Sequence, residues 1–530
     1  MVKSMTLEAK IGQLLMFGFS DTKVTPFIKR FITEHNLGGV IHFARNVSNV
    51  QQLAELNREL QELTKDSPSG AGLFIATDQE GGTVARLTNG VAVAPSAMAL
   101  GACGSEEYTE KVCQVSGQEL RATGVNMNLA PVVDVNSNPE NPVIGVRSFG
   151  EDPHTVAALG AAAIRGYQKN VAAVAKHFPG HGDTNLDSHH DLPVIAHDRG
   201  RLERVELLPF RAAIEEGVAA IMTAHVVFPA IEPVEGLPAT LSYQVLTKLL
   251  REELGFDGLI MTDCMEMMAI KGTFGTVEAA VMTIEAGADL VLISHTEELQ
   301  QQAFDALVAA VKSGRISEQR IDESVERVMK AKERFRLLDS SPEEVDLGVV
   351  GSSEHMQVMR DAIRNSITLV KDVPFSLPLG NERVLVVEFN ASAATLAEDV
   401  LVDMGNLAKA LTNNGLPQME NIVVNLTVSP QEEEAVLARA QACNKVVVAT
   451  GDAHLNPSQL KLVQSLISQH DRVIAVGTRT PYELQAFPNI PTYVAAYGSR
   501  PLVWEEVAQI LLGRYSATGR LPVSIPGLNQ

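Results

Sequence analysis

The stretch Val171-Ala-Ala-Val-Ala-Lys176-His177-Phe178-Pro179-Gly180-His181-Gly182-Asp183 opens with five apolar residues and then turns polar within two positions. Five apolar residues without alternation suit a strand covered on both faces, as in a parallel sheet. Seven other runs repeat the rhythm, at residues 12–18, 38–43, 73–78, 125–131, 219–225, 258–263 and 288–294. Helical patterns lie between them, such as Val50–Leu63 and residues 244–254. Eight βα units in about 300 residues predict a (β/α)8 TIM-type barrel, with a doubly wound open sheet as the other arrangement compatible with the pattern.

Polar residues gather where these runs end. Asp78 closes the third, Lys176 and His177 the fifth, His225 the sixth and Asp263 the seventh. In a barrel those ends share one face, where rigid strand termini and βα loops build the site.

A charged helical stretch at 316–338 closes this half and runs into the polar turn segment 339–344. A second rhythm follows, with apolar runs at 366–370, 384–389, 422–426, 446–450, 473–477 and 493–497 and helical patterns such as 431–442. The expected organisation is a barrel over 1–338, a linker over 339–365 and a three-layer α/β/α sandwich over 366–530, an α/β chain throughout.

The formal charge of −21 disfavours nucleic acid and anionic membranes as partners. Cys103, Cys113, Cys264 and Cys443 are scattered without metal-ligand spacing, so neither a disulfide framework nor a zinc site is expected. No stretch reaches the roughly 18 apolar residues of a membrane helix, and the polar start lacks the apolar core of a secretion signal. A cytoplasmic protein is the expectation.

Asp263 follows a strongly apolar strand, where a carboxylate is costly unless paired or functional. A helix cap or a structural ion pair explains it as well as catalysis does. Residues 176–191 hold Lys176, His177, His181, Asp183, Asp187, His189, His190 and Asp191. A metal site is conceivable from the ligand types, although no compact ligand spacing appears. A polar surface loop is the plain alternative. In the third reading, Asp187 and His189 point the same way along an extended segment. Asp187 then fixes the tautomer of His189, whose other ring nitrogen gives and takes a proton at a substrate oxygen.

Lys176 to His189 reads KHFPGHGDTNLDSH, and with it stand Asp78-Gln-Glu-Gly-Gly82, Arg86, Gly145-Val-Arg147-Ser-Phe-Gly150, Ser366-Ile-Thr-Leu-Val-Lys371 and Gly519-Arg-Leu-Pro-Val523. In content and order these resemble glycoside hydrolase family 3, within it the β-N-acetylglucosaminidase branch. The resemblance implies a retaining exo-enzyme that removes terminal non-reducing β-linked N-acetylglucosamine through a covalent sugar–Asp263 intermediate. It implies His189 with Asp187 as the acid/base dyad, and Asp78, Arg86, Arg147, Lys176 and His177 as residues that hold the sugar. It implies no cofactor or metal. Muropeptide fragments from cell-wall recycling, chitin oligomers and glycoprotein ends all present that sugar. His225 and Asp134 are read as structural.

Two departures stand out. Cys264-Met265 follows Asp263 where the family often has another acidic residue, and the C-terminal half shows no acidic or histidine cluster to match the barrel's. Two rivals remain open. A neutral histidine repels phosphate less than a glutamate does, which permits phosphorolysis in place of hydrolysis; and a family 3 β-glucosidase keeps the fold with another sugar.

Overall fold

The computed structural model describes residues 2–187, 192–338, 346–374, 376–390, 398 and 406–528. Eight parallel strands form the first domain: β1 (Leu15–Phe17), β2 (Gly39–His42), β3 (Phe74–Thr77), β4 (Met127–Asn128), β5 (Ala172–Phe178), β6 (Ala220–Thr223), β7 (Leu259–Met261) and β8 (Val291–Ile293). They pair in the order β8-β1-β2-β3-β4-β5-β6-β7. A single parallel bridge, Met261 to Leu290, joins β7 to the start of β8 and closes the ring. Each of the eight apolar runs contains one strand, so the barrel is confirmed and the open sheet is excluded.

The strands are short because apolarity is short. Every residue of β1, β3, β5, β6, β7 and β8 is buried, and β5 alone of these runs on through two charged or polar residues, Lys176 and His177, before its loop begins. The return helices start on local signals. In Pro153–Tyr167, Asp152 caps the Thr155 amide at 2.8 Å while Pro153 occupies the first turn, where no donor is needed. The last barrel helix, Glu318–Arg334, brings Lys332 under the barrel, where it is fully buried beside Gln13 and the Phe74 ring.

The second domain has six strands: β9 (Thr368–Lys371), β10 (Val384–Phe389), β11 (Met419–Val424), β12 (Lys445–Thr450), β13 (Val473–Gly477) and β14 (Thr492–Ala495). Their order is β9-β14-β13-β12-β10-β11, with β9 antiparallel to β14 and the other pairs parallel. Alternate residues feed two cores. Leu385, Val387, Val446 and Val448 pack with the helices Pro430–Gln441 and Pro457–Gln469, while Val384, Val386 and Val447 pack with Leu407–Asn413 and Pro501–Leu511. Helices on both faces make the three expected layers.

Of the expected linker 339–365, residues 339–345 lie outside the described residues. Residues 353–365 form most of the helix Ser353–Ser366, because His355, Val358, Met359, Ala362 and Ile363 recur at helical spacing and are buried. Val358 and Met359 join the barrel core and Ile363 joins one core of the second domain. No helix among the described residues is long and apolar enough to cross a membrane.

Candidate active site

A cavity of about 550 Å³ opens at the C-terminal ends of the barrel strands, lined by Asp78, Arg86, Arg147, Lys176, His177 and Asp263 among others. Strand geometry delivers most of them. Asp78 follows β3 directly, Lys176 and His177 are the last polar residues of β5, and Asp263 stands two positions past β7. Arg147 comes from the turn Gly145–Arg147 in the long loop after β4.

Two carboxylates tie the cations together. Lys176 Nζ donates to Asp78 at 2.8 Å and to Glu80 at 2.7 Å. Arg147 grips Glu80 in a fork, with Nε and Nη2 at 2.9 and 2.8 Å, and Arg86 Nη2 is 3.4 Å from Asp78. Forked charge-assisted bonds fix direction as well as distance. Burial works against charging each group, yet the network prevails. Arg147 and Lys176 hold the Glu80 carboxyl well below the usual carboxylate range, and Lys176 and Arg86 lower that of Asp78. In return, Asp78 and Glu80 raise Lys176 above its ordinary value despite desolvation. The opposed charges keep one another ionised, which gathers a compact set of hydrogen-bond donors and acceptors at the mouth of the cavity.

Glu80 is the participant that the sequence did not single out. The short antiparallel ribbon of Gln79–Gly81 with Val84–Ala85 presents it. Its place two residues after Asp78, on the same side of an extended segment, was the available signal.

Behind the cavity wall, Asp134 is fully buried and accepts from the His177 amide, from His177 Nδ1 at 2.8 Å and from the His181 amide at 2.7 Å. His177 and those bonds keep Asp134 charged against the cost of burial. The Nδ1 bond leaves His177 Nε2 toward Arg147 Nη2, 3.5 Å away. His181 also lines the cavity; it is buried, bonded through Nδ1 to Thr184 Oγ1 at 2.8 Å, and burial pushes it down to about 4, which favours the neutral ring. Gly182 is required for close approach: a Cβ there would lie 1.7 Å from the Val135 carbonyl oxygen.

Asp263 is half-buried and its Oδ1 accepts the Cys264 amide at 2.7 Å. His225 supports the same turn: buried, it is bonded to Thr240 Oγ1 at 2.8 Å and to the Cys264 carbonyl at 3.0 Å. An acidic residue stands three positions past Asp263. Glu266 lines the cavity and accepts the His295 amide at 2.6 Å, while Cys264 is a half-buried thiol that desolvation pushes up to about 11. Asp187 is half-buried at the end of the described part of its loop. His189 lies outside the described residues, as do Ser188, His190 and Asp191. Among the described residues, no three His, Cys, Asp or Glu side chains converge as a metal site.

The C-terminal half does assemble an acidic cluster, from positions too dispersed to read. Arg479 bridges Glu398 and Asp452 at 2.6 Å each, and nearby Glu483 is fully buried against Thr450 and Tyr493. It stands just past the ends of β12 and β13 and is absent from the cavity lining.

The sequence matches the Glycosyl hydrolase family 3 N terminal domain over residues 6–331. It is 31% identical to beta-hexosaminidase A of Pseudoalteromonas piscicida, over 95% of this chain and 92% of that protein. A beta-N-acetylglucosaminidase/beta-glucosidase of Cellulomonas fimi is 29% identical over 97% and 93%. Among solved structures, a glycoside hydrolase family 3 beta-N-acetylglucosaminidase from Paenibacillus sp. str. FPU-7 superposes with a TM-score of 0.93 at 42% identity, covering 98% of this chain and 99% of that one. A beta-glucoside phosphorylase, at 23% identity and a TM-score of 0.82, shares the fold. With strand ends, ribbon and second domain all accounted for by the same likeness, the chain belongs to glycoside hydrolase family 3.

Proposed function

We propose that this enzyme is a retaining exo-β-N-acetylglucosaminidase. The observation that carries the reading is the gathering of Asp78, Glu80, Lys176, Arg147 and His177 around one cavity that also receives Asp263. A compact set of ionised donors and acceptors suits a single sugar ring, and a carboxylate lining the same cavity suits attack at its anomeric carbon. The name of the 42%-identical neighbour supports N-acetylglucosamine as that sugar.

In the proposed reaction Asp263 attacks the anomeric carbon while the His189 imidazolium protonates the leaving oxygen. Asp187 accepts a hydrogen bond from the other ring N–H, which stays on the histidine, and so orients the acid. A glycosyl–Asp263 ester forms and the aglycon alcohol leaves. Neutral His189 then takes a proton from water, which displaces Asp263 and retains the anomeric configuration. Asp78, Arg86, Arg147, Lys176 and His177 hold the non-reducing sugar.

The test is nitrophenol release from aryl β-N-acetylglucosaminide and from aryl β-glucoside, each with and without phosphate. Faster release from the acetamido sugar, at a rate independent of phosphate, is expected; sugar phosphate as product would replace hydrolysis with phosphorolysis. Asp263→Asn abolishes turnover, and an activated 2-fluoro sugar labels Asp263. A label on any other residue sinks the assignment of the nucleophile.

A further inference from the structure

The second domain gives no residue to the lining of the sugar cavity, yet it holds the loop that carries Arg147 at three points. Asn136 Nδ2 donates to Tyr482 Oη at 3.0 Å, and that hydroxyl faces the Asn136 carbonyl at 3.5 Å. Val146, the residue before Arg147, lies in the second domain's hydrophobic core together with Tyr482 and Leu484. Thr480 packs on the same turn, since a Cβ built on Gly145 would sit 3.2 Å from its Cγ2. Arg147 thus points into the barrel cavity while its neighbour is anchored in the other domain.

The holding side is itself rigid. Thr480 donates its amide and hydroxyl to Asp452 Oδ1 at 3.1 and 2.5 Å, and Asp452 Oδ2 takes Arg479 Nε at 2.6 Å. These groups stand just past the ends of β12 and β13. The barrel side is as tightly connected. The loop 132–150 contains Asp134, which orients His177, and Asn141, whose side-chain amide donates to the carbonyls of His181 and Gly182 at 3.0 Å each. Fixing this loop fixes the cationic wall of the sugar site and the start of the loop that runs to Asp187.

We propose that Tyr482, with Thr480 behind it, is a positioning residue for the sugar site: it acts from the second domain through Asn136 and Val146 to set the guanidinium of Arg147. A forked Arg147–Glu80 pair tolerates little rotation, so loss of the brace shows first in how the sugar is held.

The inference rests on Arg147 holding the sugar, so the test separates the two in a cycle of Tyr482→Phe, Arg147→Met and the double variant, assayed in the full chain on aryl β-N-acetylglucosaminide at a temperature where all are folded. Tyr482→Phe removes one hydroxyl and raises KM about three- to tenfold, the value of one hydrogen bond, with kcat nearly unchanged. In the Arg147→Met background the same substitution changes KM by less than about twofold, because distant independent sites would instead be additive. A merely structural role would lower the melting temperature and leave KM where it was. If Tyr482→Phe leaves KM unchanged, or multiplies it equally in both backgrounds while Arg147→Met alone raises it, the positioning role is overturned and the sugar site stands. If Arg147→Met itself leaves KM unchanged, the sugar-holding reading of Arg147 falls and the inference falls with it.

Discussion

Lys176 and Lys332 are both buried in the barrel, at opposite ends, and they are in opposite electrostatic states. Lys176, at the mouth, meets the carboxylates of Asp78 and Glu80 and is raised above its ordinary value in spite of burial. Lys332, at the base, donates to the neutral Gln13 amide at 2.8 Å and faces the Phe74 ring, and burial pushes it down to about 7. The carboxylic acids repeat the contrast. Glu80 is held charged by two cations, whereas Glu483, bonded to hydroxyls and one amide, is raised by burial to about 7. Burial is common to all four. What decides the charge is whether the partner carries one.

Breaking the charged end has the largest effect. Lys176→Met leaves Asp78 and Glu80 buried without their shared cation and costs about 3–5 kcal/mol of stability, measured by urea unfolding. An unchanged midpoint would show that Arg86 and Arg147 suffice. Next comes Glu80→Gln, which keeps the shape and removes the charge. It lowers kcat/KM on the aryl glycoside about thirtyfold, or about 2 kcal/mol, since two buried cations lose their common anion. A change within a factor of two would make Glu80 a spectator.

The neutral end responds with the opposite sign. Lys332→Met raises stability at pH 7 by about 1–2 kcal/mol, because a buried charge without a counter-charge is replaced by a chain of similar volume. The unfolded chain binds this proton more tightly than the folded one. The penalty is therefore complete below pH 7 and lifts as pH rises toward the ordinary 10.5. The variant loses that rise while kcat/KM is unaltered; a parallel rise in both proteins would refute the assignment. The smallest effect is that of Glu483→Gln, about 1 kcal/mol. The folded chain holds the Glu483 proton more tightly, so its contribution is complete below pH 4.5 and fades as pH rises through 7. Melting curves across that window should slope for the native chain and flatten for the variant.

The barrel was legible because its signal is local. Eight apolar runs, each ended by polar residues, needed no knowledge of what packs against what. Asp78, Lys176, His177 and Asp263 followed from standing where those runs end. Arg147 and Arg86 do not stand at strand ends, and only the family resemblance named them. Glu80 stayed hidden because its partner Arg147 is 67 residues away, and Tyr482 because it meets Asn136 across 346. The helix Ser353–Ser366 escaped because a polar segment precedes it and its apolar face is shared between two cores. Asp134 and His225 stand behind groups that face the cavity, a distinction that strand position alone does not make.

The double-faced sheet of the second domain has one further consequence. Over Val384–Val387 of β10, odd and even positions are both apolar and feed different cores, so the water-facing and core-facing alternation that normally fixes how two strands align is missing there. Within that stretch a shift by one residue would exchange apolar faces only, and the strand's one buried polar mark is Glu388 near its end, which accepts the Leu407 amide at 2.6 Å. Alignment must then come from the strand ends. Asn444 supplies it between β10 and β12: its side chain accepts the Arg383 amide at 3.0 Å and its own amide donates to the Arg383 carbonyl at 2.8 Å. Thr478 does the same past β12 and β13, giving both amide and hydroxyl to the Thr450 carbonyl at 2.8 and 2.7 Å. In this sheet the polar residues at the margins act as the index marks against which a featureless apolar interior is set.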